Sequence, residues 1–192
     1  RNVTGPSPRF AHTMAYNAAT GLTVLFGGRR APLNNAETWE WNAAGNAGAG
    51  EWRQRNITGP TPRYAHAMVY DDIQRGIVMF GGAGIANNDE TWLLDGRGWT
   101  SQPLTAPAAR RGHAMVYDPF RREVILFGGY ATTYDGETWR LIDPCVAPII
   151  ITQPQLQVAC PYGSAQFSVV AAGTPPFTYA WRKGGVTINP AT

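Results

Sequence analysis

The hydrophobic and polar positions of this chain form a pattern that occurs three times. Segments such as HAMVY at 66–70 alternate small and large side chains, and alternation with a period of two predicts a strand. A polar loop and a continuous apolar run ending in Gly-Gly follow, as in GIVMF at 76–80, which is typical of a strand buried on both faces. A second hairpin, TWLLD–GRG–WTSQ, completes the copy. Each copy therefore predicts four short strands, and no segment has a helical period.

The three copies stay in register. His12, His66 and His113 are spaced 54 and 47 residues apart, and the Gly-Gly pairs keep the same two spacings. The first copy is longer mainly because of NAAGNAGAG at 42–50, which lacks large apolar residues and is interpreted as an extended loop.

This repetition predicts an all-β fold built from three blades of a β-propeller. A lone four-stranded sheet cannot cover both its faces, and a radial arrangement of sheets leaves no long exposed edge. We place the blades at about 1–55, 56–104 and 105–144. The third blade is expected to be incomplete, because nothing in it corresponds to Trp52 or Trp99 of the fourth strands.

The repeated residues also carry a family resemblance over residues 1 to about 144. An Arg-x-x-His strand start, an apolar strand ending in Gly-Gly and a spaced Trp resemble the kelch repeat, and ETWEWN resembles bacterial kelch proteins. The resemblance implies a kelch-type propeller. Because propellers have roughly four to eight blades, we expect further blades upstream of residue 1.

We interpret the repeated positions as structural. The histidines are expected to be buried and hydrogen-bonded to a neighbouring strand, and the glycines to allow close approach of sheets. Arginine–glutamate pairs are expected between strands or between blades, and the tryptophans are expected to pack within the blades. These positions are Arg9, His12, Gly27, Gly28, Glu37 and Trp39; Arg63, His66, Gly81, Gly82, Glu90 and Trp92; and Arg110, His113, Gly128, Gly129, Glu137 and Trp139.

Composition changes near residue 144. All 13 acidic residues lie at or before Asp143, and the passage GSAQFSVVAAGTPPFTYAWRKGG resembles strands B and C of a bacterial immunoglobulin-like domain. The resemblance implies that 145–192 form the N-terminal part of such a domain, with Trp181 as its core Trp. Val169 stands where the family usually has a strand-B cysteine. Cys145 and Cys160 are compatible with a disulfide or with two free thiols.

Charge and motifs argue against several classes of partner and cofactor. The net charge is +3, but the 16 basic residues form no run, so no nucleic-acid partner is expected. No stretch of about 18 apolar residues predicts a membrane span. The phosphate-binding pattern GxGxxG is absent, and no cysteine or carboxylate accompanies the repeated histidines as a further metal ligand. We therefore expect no metal and no cofactor.

Three loops that follow the Gly-Gly pairs, at 29–36, 83–89 and 130–136, differ between copies while their flanks stay alike. Binding often resides on such loops, and we expect the three to share one face. The sequence predicts a non-catalytic module of a secreted or cell-surface bacterial protein that binds a protein or a glycan there. The candidate binding residues are Arg29, Arg30, Asn34, Asn87, Asn88, Asp89, Tyr130, Tyr134 and Asp135.

Two alternatives remain open at this point. Galactose oxidase combines a kelch propeller with an immunoglobulin-like domain, so the chain is also compatible with part of a copper radical oxidase whose catalytic residues lie in other blades. A purely structural repeat without a ligand is the second alternative.

Overall fold

A computed structural model describes residues 4–104, 107–142, 149–172 and 178–188. The chain divides into two compact units, Arg1–Leu141 and Ile142–Thr192. The described part contains no α-helix, and the predicted all-β fold is confirmed. No helix in these described ranges has the length and apolar character that crossing a membrane requires.

The first unit contains three successive antiparallel sheets, which we number 1 to 3. Their strand orders are β1-β2-β5-β6, β10-β9-β8-β7 and β11-β12-β13. Sheets 1 and 2 have four strands, and sheet 3 has three among the described residues. Residues 143–148, which follow its third strand, lie outside the described part, so the expected lack of a fourth strand stays a prediction. Sheet 1 comprises β1 (Thr13–Asn17), β2 (Leu22–Phe26), β5 (Thr38–Asn42) and β6 (Glu51–Arg55). A separate small hairpin of β3 (Arg29–Arg30) and β4 (Leu33–Asn34) lies between β2 and β5, and a 3-10 turn (Asn46–Gly48) lies between β5 and β6. Sheet 2 comprises β7 (Ala67–Asp71), β8 (Gly76–Phe80), β9 (Thr91–Asp95) and β10 (Gly98–Gln102), and sheet 3 comprises β11 (Ala114–Asp118), β12 (Glu123–Phe127) and β13 (Thr138–Ile142).

The strand pairing follows the repeat. The alternating strand of each copy pairs antiparallel with the apolar strand after it, with Met68 opposite Met79 in sheet 2 and Met115 opposite Leu126 in sheet 3. The segment at 42–50, interpreted as a loop from its composition, contains the 3-10 turn and connects β5 to β6.

The core of this unit lies between the sheets. The first strands β1, β7 and β11 contact one another in succession. Val24 and Phe26 of sheet 1 join Met68, Met79 and Trp99 of sheet 2 in one buried cluster. Burying a large apolar side chain contributes about 1.5–3 kcal/mol, so packing of one sheet on the next is a main source of stability.

The second unit contains two short hairpins. Strand β14 (Ile149–Thr152) pairs with β15 (Val170–Ala172), and β16 (Trp181–Lys183) pairs with β17 (Val186–Ile188). The strands expected over AQFSVVA and FTYAW are therefore shorter than the sequence alternation suggests. Two-stranded ribbons are marginal without a packed face, and the two described ribbons remain separate sheets.

Trp181 is half-buried and its ring lies 6.2 Å from that of Phe167. Its role as a sandwich core residue stays a prediction. Cys160 is exposed, whereas Cys145 lies outside the described residues, so a disulfide between them also stays a prediction.

Candidate binding site

A buried arginine anchors the start of each copy. The guanidinium of Arg63 donates to the carbonyl of Gly81 at 3.1 Å and to the carbonyl and hydroxyl of Thr61 at 3.0 and 2.9 Å, and it pairs with Glu90. Arg9 and Glu37 make the equivalent pair in sheet 1, at 2.6 Å. The predicted arginine–glutamate pairs thus lie within one copy and join the segment before its first strand to the segment before its third strand. In sheet 3, Arg110 contacts Asp135 at 2.8 Å and Glu137 at 3.3 Å.

The glutamate of each pair also fixes a tryptophan. The indole Nε1 of Trp92 donates to Glu90 at 3.1 Å, and the corresponding distances are 2.9 Å for Trp39–Glu37 and 2.8 Å for Trp139–Glu137. Burial disfavours the carboxylate, but the hydrogen bonds from Arg63 and Trp92 outweigh it and lower the pKa of Glu90. The charged pair is therefore maintained at neutral pH.

Two of the repeated histidines are buried where consecutive sheets meet. The rings of His66 and His113 pack edge-on against Phe26 and Phe80 of the preceding sheets, at centroid distances of 5.5 and 5.3 Å. Within the described residues, neither ring nitrogen of His66 or His113 has a partner in hydrogen-bonding geometry. The backbone of Phe26 and of Phe80 nevertheless acts on the two rings and raises their pKa, so the expected hydrogen bond to a neighbouring strand stays a prediction.

Electrostatics keep these histidines neutral. Burial, with the charge on Arg63 as the next cause, lowers the pKa of His66 to about 3, although the Phe26 backbone acts in the opposite direction. Burial likewise lowers the pKa of His113 to about 4, with Arg110 as the next cause.

The Gly-Gly pairs bring consecutive sheets into contact. Gly27 and Gly28 have φ values of +66° and +95°, and the N–H of Gly28 donates to the carbonyl of Arg63 at 2.9 Å. A Cβ on Gly27 would lie 2.6 Å from that same carbonyl oxygen. Gly82 donates to Arg110 in the same way, so the contact recurs at the next junction.

A second set of bonds links the copies beside the loops. The N–H of Ala65 donates to Ala11, and the N–H of Gly112 donates to Ala65, both at 2.8 Å. These three residues share one register position and all have positive φ. The starting segments of the copies thus form one connected edge.

The three variable loops lie on one face, as predicted, and are bonded to each other. The side chain of Asn34 donates to the carbonyl of Gly84 at 3.4 Å, and that of Asn87 donates to Tyr130 and Ala131 at 3.1 and 3.0 Å. Arg111 donates to Asn87 Oδ1 at 2.9 Å. Asn34 and Asn87, proposed from sequence as ligand contacts, therefore fix one loop against the next.

Aromatic and cationic side chains stack beside these loops, at a set of positions that we call the rim. The guanidinium of Arg29 lies 5.4 Å from the ring centre of Tyr64, and that of Arg111 lies 4.8 Å from the ring centre of Tyr130. Tyr130 in turn contacts Tyr134 edge to face at 5.5 Å. Cation–π contacts of this kind stabilise the side chains in defined positions.

Two clefts open on the loop face. One has a volume of about 510 Å³ and is bordered by Phe10, Tyr64 and Arg111 with the third loop. The other, of about 570 Å³, lies between the first and second loops. Leu33, Thr61, Ile85 and Asn88 are among its lining residues.

The nine predicted binding residues fall into two groups. Arg30, Asp89 and Tyr134 are exposed, and Asn88 lines a cleft. The remaining five hold the loops in place, through hydrogen bonds, ion pairs or stacking: Arg29, Asn34, Asn87, Tyr130 and Asp135.

Sequence reasoning missed the rim residues Phe10, Tyr64 and Arg111 and the exposed apolar tips Leu33 and Ile85. The signal for the rim residues was available. They occupy one register position, two residues before each repeated histidine, and that position varies while the arginine before it and the histidine after it are constant.

The described residues bring together no group of three or more His, Cys, Asp and Glu side chains able to hold a metal ion. Paired acidic side chains such as Asp135 and Glu137 instead contact Arg110.

Comparison with known proteins shows the fold only. The chain is similar to the solved structure of YjhT, with a TM-score of 0.57, 12% identity and coverage of 87% of this chain. The match covers 48% of the YjhT chain, so this chain spans about half the length of that neighbour. No protein-family profile and no curated protein sequence matches the chain.

Proposed function

We propose that this chain is a non-catalytic binding module that recognises a protein partner through its loop face. The observation that carries the proposal is the bonding between loops, from Asn34 to Gly84 and from Asn87 to Tyr130. Loops fixed in this way lose little conformational entropy when a ligand binds. At the tips of these loops, the side chains of Leu33, Ile85 and Tyr134 are exposed to solvent.

The chemistry of these tips favours a protein over a glycan. A sugar is bound through hydrogen bonds and through stacking on a flat aromatic ring. The side chains of Leu33 and Ile85 provide neither. Exposed apolar side chains grouped on one face are typical of protein-binding surfaces. Arg30 and Asp89 lie beside them and would supply the polar rim that such interfaces have.

The family and setting belong to the same proposal. The arginine pair recurs in all three copies, and the stacked histidine and the Gly-Gly contact recur at both junctions between sheets, which supports a kelch-type propeller. The resemblance of 163–185 to an immunoglobulin-like domain supports a secreted or cell-surface bacterial protein, in which that domain would serve as spacer or adhesive unit.

The test compares matched variants for capture of ligands. The folded chain is immobilised and screened in parallel against bacterial surface proteins and a glycan array. Leu33→Ser/Ile85→Ser/Tyr134→Ser removes the tips, and Phe120→Ser removes an exposed apolar side chain from the opposite hairpin end of sheet 3.

We expect the triple variant to bind the captured protein at least about tenfold more weakly, as loss of interface anchors does, while Phe120→Ser binds like the wild type. Unchanged affinity in a folded triple variant would remove the loop face as the site. Capture of glycans alone would refute the protein partner while retaining a binding role.

A further inference from the structure

Arg29, in the first loop, has no partner for its side-chain donors. Other arginines beside the loops are paired: Arg63 contacts Glu90, and Arg111 donates to Asn87 Oδ1 at 2.9 Å. Among the described residues, no acceptor and no carboxylate lies within bonding distance of the Arg29 guanidinium, whose Nε is buried while its two terminal nitrogens are not. A buried donor without an acceptor destabilises the fold, and such donors are rare in proteins. The unpaired guanidinium is therefore a candidate for contact with a ligand.

The fold does not explain an arginine at this position. Arg29, Ala83 and Tyr130 occupy equivalent positions after the Gly-Gly pairs of the three copies, and each is bridged to the segment that precedes the first strand of its copy. Ala83 is buried with only a methyl group as its side chain. The junction beside it is closed all the same, because Gly82 donates to the carbonyl of Arg110 at 2.9 Å. Packing of the repeat unit therefore needs no guanidinium here.

The side chain of Arg29 is held at the junction of the first and second copies. Its guanidinium lies 5.4 Å from the ring centre of Tyr64, which belongs to the second copy. Arg29 also pairs with Asn34 in the β3–β4 hairpin, and directly paired residues place their side chains on the same face. Asn34 reaches the second copy at Gly84 and lines the cleft of about 570 Å³. Arg29 therefore shares the hairpin face that is turned to this cleft, between two copies that the structure describes.

The chemistry of this side chain favours a carboxylate. A guanidinium is a planar fork of N–H donors that matches the two oxygens of a carboxylate, and it keeps donors at its edge when it stacks on an aromatic ring. Because Tyr64 already holds the side chain in place, binding costs little further conformational entropy. Phosphate sites usually combine several cationic groups. Arg30 follows in β3, and successive side chains of a strand point to opposite faces, so one guanidinium serves the site, which suits the single charge of a carboxylate.

We propose that Arg29 is a specificity-determining residue of the loop face and binds a carboxylate of the protein partner through both terminal nitrogens. The inference rests on the proposed function, since it assigns the chemistry of one contact in that interface. The carboxylate belongs either to an aspartate or glutamate side chain or to the C-terminus of the partner. Leu33 and Ile85, exposed at the same cleft, contact apolar side chains beside the acidic group.

Two random peptide libraries, screened against the immobilised chain, test this contact. In one library the peptides end in a free carboxylate, and in the other they are fused through that end, so that only side chains supply one. Enrichment of aspartate or glutamate in both libraries is expected for a side-chain carboxylate, and binders from the free-ended library alone are expected for a C-terminus. An enriched peptide should bind Arg29→Gln at least about tenfold more weakly than the wild type. Arg30→Gln removes the same charge from the other face of β3 and should change the affinity by about threefold or less.

Two further measurements separate binding from folding. Arg29→Lys keeps the charge but not the fork and should also weaken binding, and the thermal midpoint of each variant shows that it is folded. A peptide whose carboxylate is replaced by an amide should bind the wild type about as weakly as the acidic peptide binds Arg29→Gln. The two changes together should cost no more than either alone, because both remove the same contact.

The outcomes distinguish this inference from the proposed function. A screen that enriches neither acidic residues nor free-ended peptides, or that enriches no peptide, overturns the inference, as does an equal loss of affinity in Arg29→Gln and Arg30→Gln. Peptides without a carboxylate that lose affinity for Leu33→Ser/Ile85→Ser/Tyr134→Ser overturn the inference and leave the proposed function standing. Acidic peptides that depend on Arg29 but bind that triple variant like the wild type support the inference and remove the loop tips as anchors.

Discussion

Acidification should weaken the repeat unit through its two buried histidines. In the folded chain the pKa of His66 is lowered from 6.5 to about 3 and that of His113 from 6.5 to about 4, in both cases chiefly by burial. Because the unfolded chain titrates near 6.5, it binds more protons than the folded chain below that pH. The free energy of unfolding therefore has its full value above pH 6.5 and decreases as the pH drops toward the folded-state pKa values.

The size of the effect follows from these shifts. Each pH unit below 6.5 costs about 1.4 kcal/mol per histidine. At about pH 5, which is about 1.5 units below 6.5, each histidine has cost about 2 kcal/mol and the two together about 4 kcal/mol. A domain has a total stability of roughly 5–15 kcal/mol, so a loss of this size is easily measured.

The assay is urea unfolding followed by tryptophan fluorescence, at several pH values from about 7.5 down to about 5. Six of the seven tryptophans lie in the repeat unit, so the signal reports that unit. The range stops above the titration of Glu37 and Glu90, whose pKa values are lowered. His66→Gln/His113→Gln removes the titrating rings and is expected to flatten the pH dependence. If the free energy of unfolding of the double variant falls with pH as steeply as that of the wild type, burial of the histidines does not cause the acid sensitivity.

Two further substitutions test the junctions. Arg63→Gln removes a fully buried guanidinium that donates to Thr61 and Gly81 and pairs with Glu90, and it should cost about 3–5 kcal/mol in urea unfolding. Arg121→Gln, in an exposed surface pair, should cost clearly less. Equal losses would show that the buried guanidinium has no special role. Gly81→Ala and Gly21→Ala both strain a residue of positive φ, at about 1–2 kcal/mol, but a Cβ on Gly81 also meets a backbone oxygen of the next sheet at 2.6 Å. Gly81→Ala should therefore lower the thermal midpoint clearly more than Gly21→Ala, and similar midpoints would contradict a close junction.

The sequence alone determined the strands of the first unit. Alternation in HAMVY, the apolar run of GIVMF and the turn residues between them are local signals, and the strands they predicted pair as expected. The sequence also indicates that the third copy lacks a fourth strand, because Trp52 and Trp99 have no counterpart there; this stays a prediction, since residues 143–148 lie outside the described residues.

Only the tertiary structure decided which loop residues face a ligand. Asn34 and Asn87 were predicted as ligand contacts from their type and their variable setting, but both bond to the neighbouring loop. Their partners are backbone carbonyls about 43 to 50 residues away in the chain, and no local pattern encodes such a distance. The rim residue Tyr64 was missed for the same reason, since its stacking with Arg29 arises only when two copies pack together.

The second unit shows most clearly that a sequence pattern alone does not determine the length of a strand. The alternation in AQFSVVA predicts a strand, yet the structure has a strand only at Val170–Ala172. Alternation describes which side chains can share a face, but a strand also requires a partner for its backbone and a surface against which that face is buried. Those requirements are met between the sheets of the repeat unit, where Phe26 and Met68 become buried together, and they depend on packing rather than on sequence pattern.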